Sequence, residues 1–116
     1  MARLYVDIDD SLIKWISGQP EPHPYGFGAD RWEWHWGVIK LLKEHKGPAI
    51  IWSGGGEEYA RTWLTRLFSQ LDMSDCLADP IYAMGKQPVS LQEGDIFVDD
   101  SPWDAWKHLN IYPSDL

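Results

Sequence analysis

The chain has 116 residues, enough for one domain with a real core and too few for two. Apolar residues at 44% and charged residues at 24% exclude disordered and fibrous classes. A net charge of −8, from 10 Lys and Arg against 18 Asp and Glu, sets the overall field against nucleic acid and anionic membranes. No apolar run nears the roughly 18 residues needed to span a bilayer. The single Cys76 cannot form an internal disulfide, and no charged-then-apolar leader precedes the first strand. The expectation is one soluble, cytoplasmic domain over 1–116, with no membrane partner. Eight Trp residues in so short a chain imply large planar surfaces in the core, at a lid or at an interface.

Leu4, Tyr5, Val6 and Ile8 form a short apolar run near the start, which predicts a strand buried on both faces of a parallel sheet. Asp7, Asp9 and Asp10 fall at its carboxyl end, where ligands bind in open α/β sheets. Strand alternation places Asp7 and Asp9 on one side, roughly 7 Å apart along the strand. Two such charges repel unless a cation or a shared proton joins them. A hard divalent ion meets that need, and plain strand-ending and turn-capping acids are the alternative.

Residues 17–31 hold the breakers Gly18, Pro20, Pro22, Pro24, Gly26 and Gly28, which predict a loop leaving from above the acidic strand end. Loops of this length often close or line a site, so 17–33 is a candidate lid rich in Pro, Gly and Trp. Trp32, Trp34 and Trp36 alternate with a period of two, yet Trp32, Trp36, Ile39 and Leu42 also make a helical stripe. The reading is a helix from about Trp34 to His45, with Gly47 as a left-handed cap. The tryptophans then either pack in the core or line the cleft.

Ala49–Trp52 is a second buried strand that runs into Ser53, Gly54, Gly55 and Gly56 before a helix at 57–71. On that helix Ala60, Trp63, Leu64, Leu67, Phe68 and Leu71 share a face, and Glu57 and Glu58 occupy the first turn, where the helix dipole favours acids. Strand, Ser, glycines, helix is an arrangement that leaves N–H groups and a hydroxyl open to phosphate, so Ser53 and Gly54 are candidate phosphate ligands. Cys76–Ala78 and Ile81–Ala83 predict one or two short strands interrupted by Asp79-Pro80, and Lys86 follows in a Gly- and Pro-fixed turn.

The last apolar run, Ile96–Val98, ends in Asp99 and Asp100, repeating the opening theme. Ser101 and Pro102 predict the start of a short helix over Trp103–Leu109, which sets Asp104 one turn after Asp100. Asn110 can end that helix, and Ile111-Tyr112 is a candidate edge strand. Two adjacent acidic strand ends bring four or five carboxylates together, which demands a cation.

In this order, Val6-Asp7-Ile8-Asp9-Asp10-Ser11-Leu12, Ile51-Trp52-Ser53, Lys86 and Phe97-Val98-Asp99-Asp100-Ser101-Pro102 resemble the four motifs of the haloacid dehalogenase (HAD) superfamily of phosphatases. Receiver domains of response regulators also use Asp pairs, a Ser or Thr and a Lys, but place the Lys last. The resemblance implies a three-layer, Rossmann-like α/β fold with about five mainly parallel strands and helices on both faces. The short gaps between motifs leave no room for a separate cap domain.

It further implies a magnesium-dependent phosphatase acting through an aspartyl phosphate. Asp7 would be the nucleophile, Asp9 the general acid and base, and Ser53 and Lys86 the groups that hold the transferring oxygens. Mg2+ would lie on Asp7, the Asp9 carbonyl and Asp100, with Asp99 and Asp104 orienting it from behind. The partner implied is a phosphorylated substrate of unspecified size, and the charge of −8 disfavours nucleic acid. A phosphotransferase shares every one of these residues. A HAD-like binding module without turnover is the reading from a different class.

Overall fold

In the computed structural model, which describes residues 2–15 and 32–116, the wholly buried run Leu4–Asp7 is strand β1. It is followed by β2 (Ile13–Trp15), β3 (Trp32–Trp34), helix α1 (Trp36–Glu44), β4 (Gly47–Ser53), helix α2 (Glu57–Gln70), β5 (Ala78–Gly85), β6 (Ile96–Val98) and β7 (Asn110–Ile111). Five strands make one sheet in the order β5-β4-β1-β6-β7, and every pairing in it is parallel. The class is therefore α/β, with β1 at the centre, as its unbroken apolar sequence requires. Among the described residues no helix is long and apolar enough to cross a membrane.

The layering differs from the expected helices on both faces. Val38, Ile39 and Leu42 of α1 and Ala60, Trp63 and Leu67 of α2 join Leu4, Val6, Ala49, Ile51 and Val98 in one cluster, so both helices cover the same face. The opposite face carries Tyr5, Ile50, Trp52, Phe97 and Trp106. Among the described residues that face is covered by rings and not by an α-helix. Tyr5 stacks on Phe97 at 4.6 Å between centroids, Phe97 on Trp106 at 5.0 Å, and Trp106 on the half-exposed Trp103 at 4.8 Å. Each such pair adds about 0.5–1.5 kcal/mol beyond the area it buries.

Several element readings are corrected. Trp32–Trp34 is a strand paired antiparallel with Ile13–Trp15, and α1 begins at Trp36, because the two-residue alternation wins where a partner strand exists and His35 caps the helix through Nδ1, which accepts from the Val38 N–H. Of the expected lid at 17–33, Trp32 and Glu33 thus belong to a strand, and 17–31 lies outside the described residues. The segment around Asp79-Pro80 is one strand, since β5 is a sheet edge and an edge tolerates a missing N–H donor. Gly47 does adopt positive φ, at 104°, but it opens β4, while the helix is capped by the extended His45. The helix expected over Trp103–Leu109 is a set of turns with a single 3-10 turn at Lys107–Leu109, and the edge strand is Asn110–Ile111. Ser101 does not cap a helix there: its N–H is given to Asp99 Oδ1, which folds the chain back at the strand end.

The ends of the central strands are tied by one ion pair. Arg3, just before β1, gives Nε and Nη2 to Asp95 Oδ1 and Oδ2 at 3.2 and 2.7 Å, and its backbone N–H also reaches Oδ1. The Asp95 side chain is inaccessible to solvent and accepts a further bond from the Gln92 N–H. Burial works against the Asp95 charge, but these bonds outweigh it and hold the carboxyl below its usual range. Asp95→Asn should therefore destabilise the fold by about 2 kcal/mol or more at pH 7, measured by urea unfolding. Because the folded pKa is depressed, the wild-type advantage is full above about pH 4 and is lost as the pH falls through the folded value. An equal loss at pH 7 and pH 2.5 would show that the charge is not what holds the two segments.

Candidate active site

The strand ends at Asp7 because the chain turns there. The N–H of Leu12 bonds the Asp7 carbonyl at 3.0 Å, Ser11 and Ile13 bond the Ile8 carbonyl, and Asp10 takes a positive φ of 56°. Asp9 thus lies in the turn, and the extended-strand spacing expected between Asp7 and Asp9 does not apply. What the turn does is bring Ser11 back over the strand end. Its hydroxyl lies 3.3 Å from Asp7 Oδ2 and 3.4 Å from Asp100 Oδ1, and accepts the Asp100 N–H at 3.2 Å.

Adjacent parallel strands set the rest. β6 lies beside β1, so Asp99 and Asp100 emerge next to Asp7, and carboxylate oxygens of the three lie within 4.8 Å of one another. β4 and β5 lie on the other side, and Lys86, one residue past β5, is fastened by its own N–H to the Ser53 carbonyl at 2.8 Å. From there its Nζ reaches Asp7 Oδ1 at 3.0 Å and Asp99 Oδ2 at 2.7 Å. The side chains of Asp7, Asp99 and Lys86 are each about nine-tenths buried or more. Asp99 is thus tied to Asp7 through the ammonium they share.

Ser53, also buried, ends β4 one residue beyond the level of Asp7 on the neighbouring strand, and its Oγ accepts the Gly55 N–H at 3.0 Å. That bond leaves the hydroxyl proton to give. Gly54 is exposed, and a Cβ placed on it would meet nothing within 4 Å, so close packing does not dictate the glycine. Asp104 is exposed and outside the carboxylate cluster, since its expected place rested on a helix that does not form. Asp9 Oδ1 accepts from Tyr59 Oη at 2.8 Å and from Trp15 Nε1 at 2.9 Å.

Three carboxylates face one lysine, and the electrostatics follow. Burial first, then the Asp99 charge, push Asp7 up to about 8 against the opposing pull of Lys86. Burial and Asp99 also raise Asp100, while the carboxylates outweigh burial and raise Lys86. The lysine is therefore a fixed cation. A small hard cation suits this donor set, which offers closely spaced carboxylate oxygens with uncompensated charge. Asp7 and Asp100 are the residues placed to hold it, since Asp99 is committed to Lys86 and to the Ser101 N–H. A cavity of about 280 Å3 opens beside Asp10, between Lys14, His35 and Pro113.

Ser11, Tyr59 and Trp15 were not among the residues expected to matter. Ser11 sits inside the first motif and was legible there. Tyr59 carries a faint signal, standing four residues before Trp63 on α2, whereas nothing local marks Trp15. Comparison of the chain with protein-family models, with curated proteins and with solved structures finds no match.

If the cluster holds a divalent ion, excess Mg2+ should raise Tm by about 4 °C or more at neutral pH, the shift expected when about 1 kcal/mol of binding energy is linked to folding. Asp100→Asn should cut that shift by at least half in calorimetry. A wild type unmoved by magnesium, or a variant shifted as much as the wild type, rules the site out.

Proposed function

We propose that this chain is a magnesium-dependent phosphoric monoester hydrolase of the HAD-like type, with a Rossmann-like fold and Asp7 as nucleophile. The observation that carries the reading is the reach of one buried ammonium, Lys86 Nζ, to both Asp7 and Asp99. Three of the four stretches that resemble the HAD motifs meet at that atom, and the fourth, at Ser53, holds the lysine backbone. Such convergence of residues 79 apart in sequence supports a reacting centre over strand-ending caps, which need no shared cation.

The chemistry follows from what each residue can do. An Asp7 oxygen attacks phosphorus while the bond to the leaving oxygen breaks, and that oxygen takes a proton from the Asp9 carboxyl. In the second step a water oxygen attacks phosphorus, its proton passes to the Asp9 carboxylate, and the bond to Asp7 breaks to release phosphate. Lys86 and the Ser53 hydroxyl hold the phosphoryl oxygens, and the Lys86 cation is set in place before the substrate arrives. Asp99 keeps that cation between itself and Asp7, and Ser11 holds Asp7 and Asp100 in register. A bound magnesium ion would supply the further positive charge that lets an anionic carboxylate approach an anionic phosphoryl group.

The decisive measurement is phosphate release from aryl, sugar, nucleoside, peptide and end-phosphorylated oligonucleotide monoesters, with and without Mg2+. Wild-type release should require the metal, and Asp7→Asn should lower kcat by at least about 10³-fold while keeping the wild-type fold by circular dichroism. Full activity in Asp7→Asn would refute the covalent route. No release from any substrate class would refute the hydrolase.

A further inference from the structure

The aromatic cluster on the helical face has a polar end, and that end is Asp9. Trp15 ends β2, which pairs with β3, and Tyr59 is the third residue of α2, yet their donors meet on the same carboxylate oxygen, Asp9 Oδ1. Their rings are fixed from behind. Trp63 packs edge-on against Trp15, Trp32, Trp34 and Tyr59, with centroids 4.8 to 6.5 Å apart, and Arg66 lies over its face at 4.5 Å. Trp63 is 2% exposed. Burial and the Asp9 charge both push Tyr59 strongly upward, so its hydroxyl stays a proton donor at any working pH.

We infer that Trp15 and Tyr59 are positioning residues for the general acid, and that the tryptophan cluster around Trp63 exists to hold their two donors on Asp9. The inference rests on the hydrolase reading above. A turn carboxylate has two free side-chain torsions, and proton transfer to a leaving oxygen requires it within hydrogen-bond reach of that oxygen. Two donors from two different elements fix both torsions through one oxygen. Without them Asp9 keeps its chemistry but loses its address. The penalty on kcat/KM, which covers only the steps through loss of the leaving group, then depends on how much that group needs the proton: an alkoxide needs it nearly in full, and a nitrophenolate, already a stable anion, hardly at all. That dependence separates positioning from a merely structural role.

The experiment compares magnesium-dependent turnover of glycerol phosphate and 4-nitrophenyl phosphate by the wild type, Asp7→Asn, Asp9→Asn, Tyr59→Phe and Trp15→Phe. Both aromatic variants keep a ring and remove one donor. Expected is a fall in kcat/KM of about tenfold on glycerol phosphate and less than about threefold on the nitrophenyl ester, in the same sense as the larger effect of Asp9→Asn. Equal losses of kcat/KM on both esters would assign the two residues to packing and overturn the inference. No loss on either ester would overturn it as well. Wild-type turnover that is abolished in Asp7→Asn establishes the underlying reading independently. Its absence brings down that reading and this one together, whereas turnover with no leaving-group discrimination brings down this one alone.

Discussion

Everything at the carboxyl edge of the sheet depends on one buried cation between two buried anions. Lys86 is 3.0 Å from Asp7 and 2.7 Å from Asp99, and each of the three arrives from a different strand. Taking such charges out of water costs several kcal/mol per ion, which is recovered only where the geometry satisfies the remaining lone pairs and protons. Here it does so in part: Ser101 donates to Asp99, and Ser11 lies against Asp7 and Asp100. The surplus is negative, and that surplus makes the centre receptive to a cation. The same imbalance explains why the turn after β1 is so tightly bonded, since a looser turn would let the repelling carboxylates separate.

The two faces of the sheet answer this demand differently. The helical face supplies Tyr59 and, through the hairpin it anchors, Trp15, so it handles Asp9. The ring-stacked face carries Phe97 directly before the segment that delivers Asp99 and Asp100. Among the described residues, stacked rings fill that layer where another chain would place a helix. The abundance of tryptophan is thus economical as well as conspicuous, because each aromatic ring buries about 150–250 Å2 from a single backbone position.

Much of this was legible from the chain, and what was not shares a cause. The buried strands announced themselves as short apolar runs, and the acids at their ends were placed correctly by the rule that ligands gather there. Helix α2 followed from its stripe. The failures lie where two local patterns competed and a distant partner decided. Trp32–Trp34 reads equally as strand or helix until Ile13–Trp15 is beside it. Trp103–Leu109 has a helix start signal, but Trp106 is drawn into the ring stack and Asp99 takes the Ser101 N–H. Pro80 marked a break only because the edge position of β5 was invisible. The tie of Asp99 to Lys86 was illegible for the same reason: it joins residues from two strands that are not neighbours in the sheet. The assignment of Tyr59 to Asp9, 50 residues away, needs the third dimension outright.

The position of β1 has a kinetic consequence. It pairs with β4 on one side and β6 on the other, and the Arg3 to Asp95 tie that closes the second side spans 92 residues. Parallel pairing of this separation carries a large loop-closure entropy that must be met before the contacts reward it. On the ribosome, Leu4–Asp7 emerges before both its partner strands and keeps one edge open until Ile96–Val98 has been made. During that interval a strand that is buried along its whole length in the fold, with its backbone donors and acceptors unmatched on one side, is the surface that a chaperone or a misfolding neighbour meets.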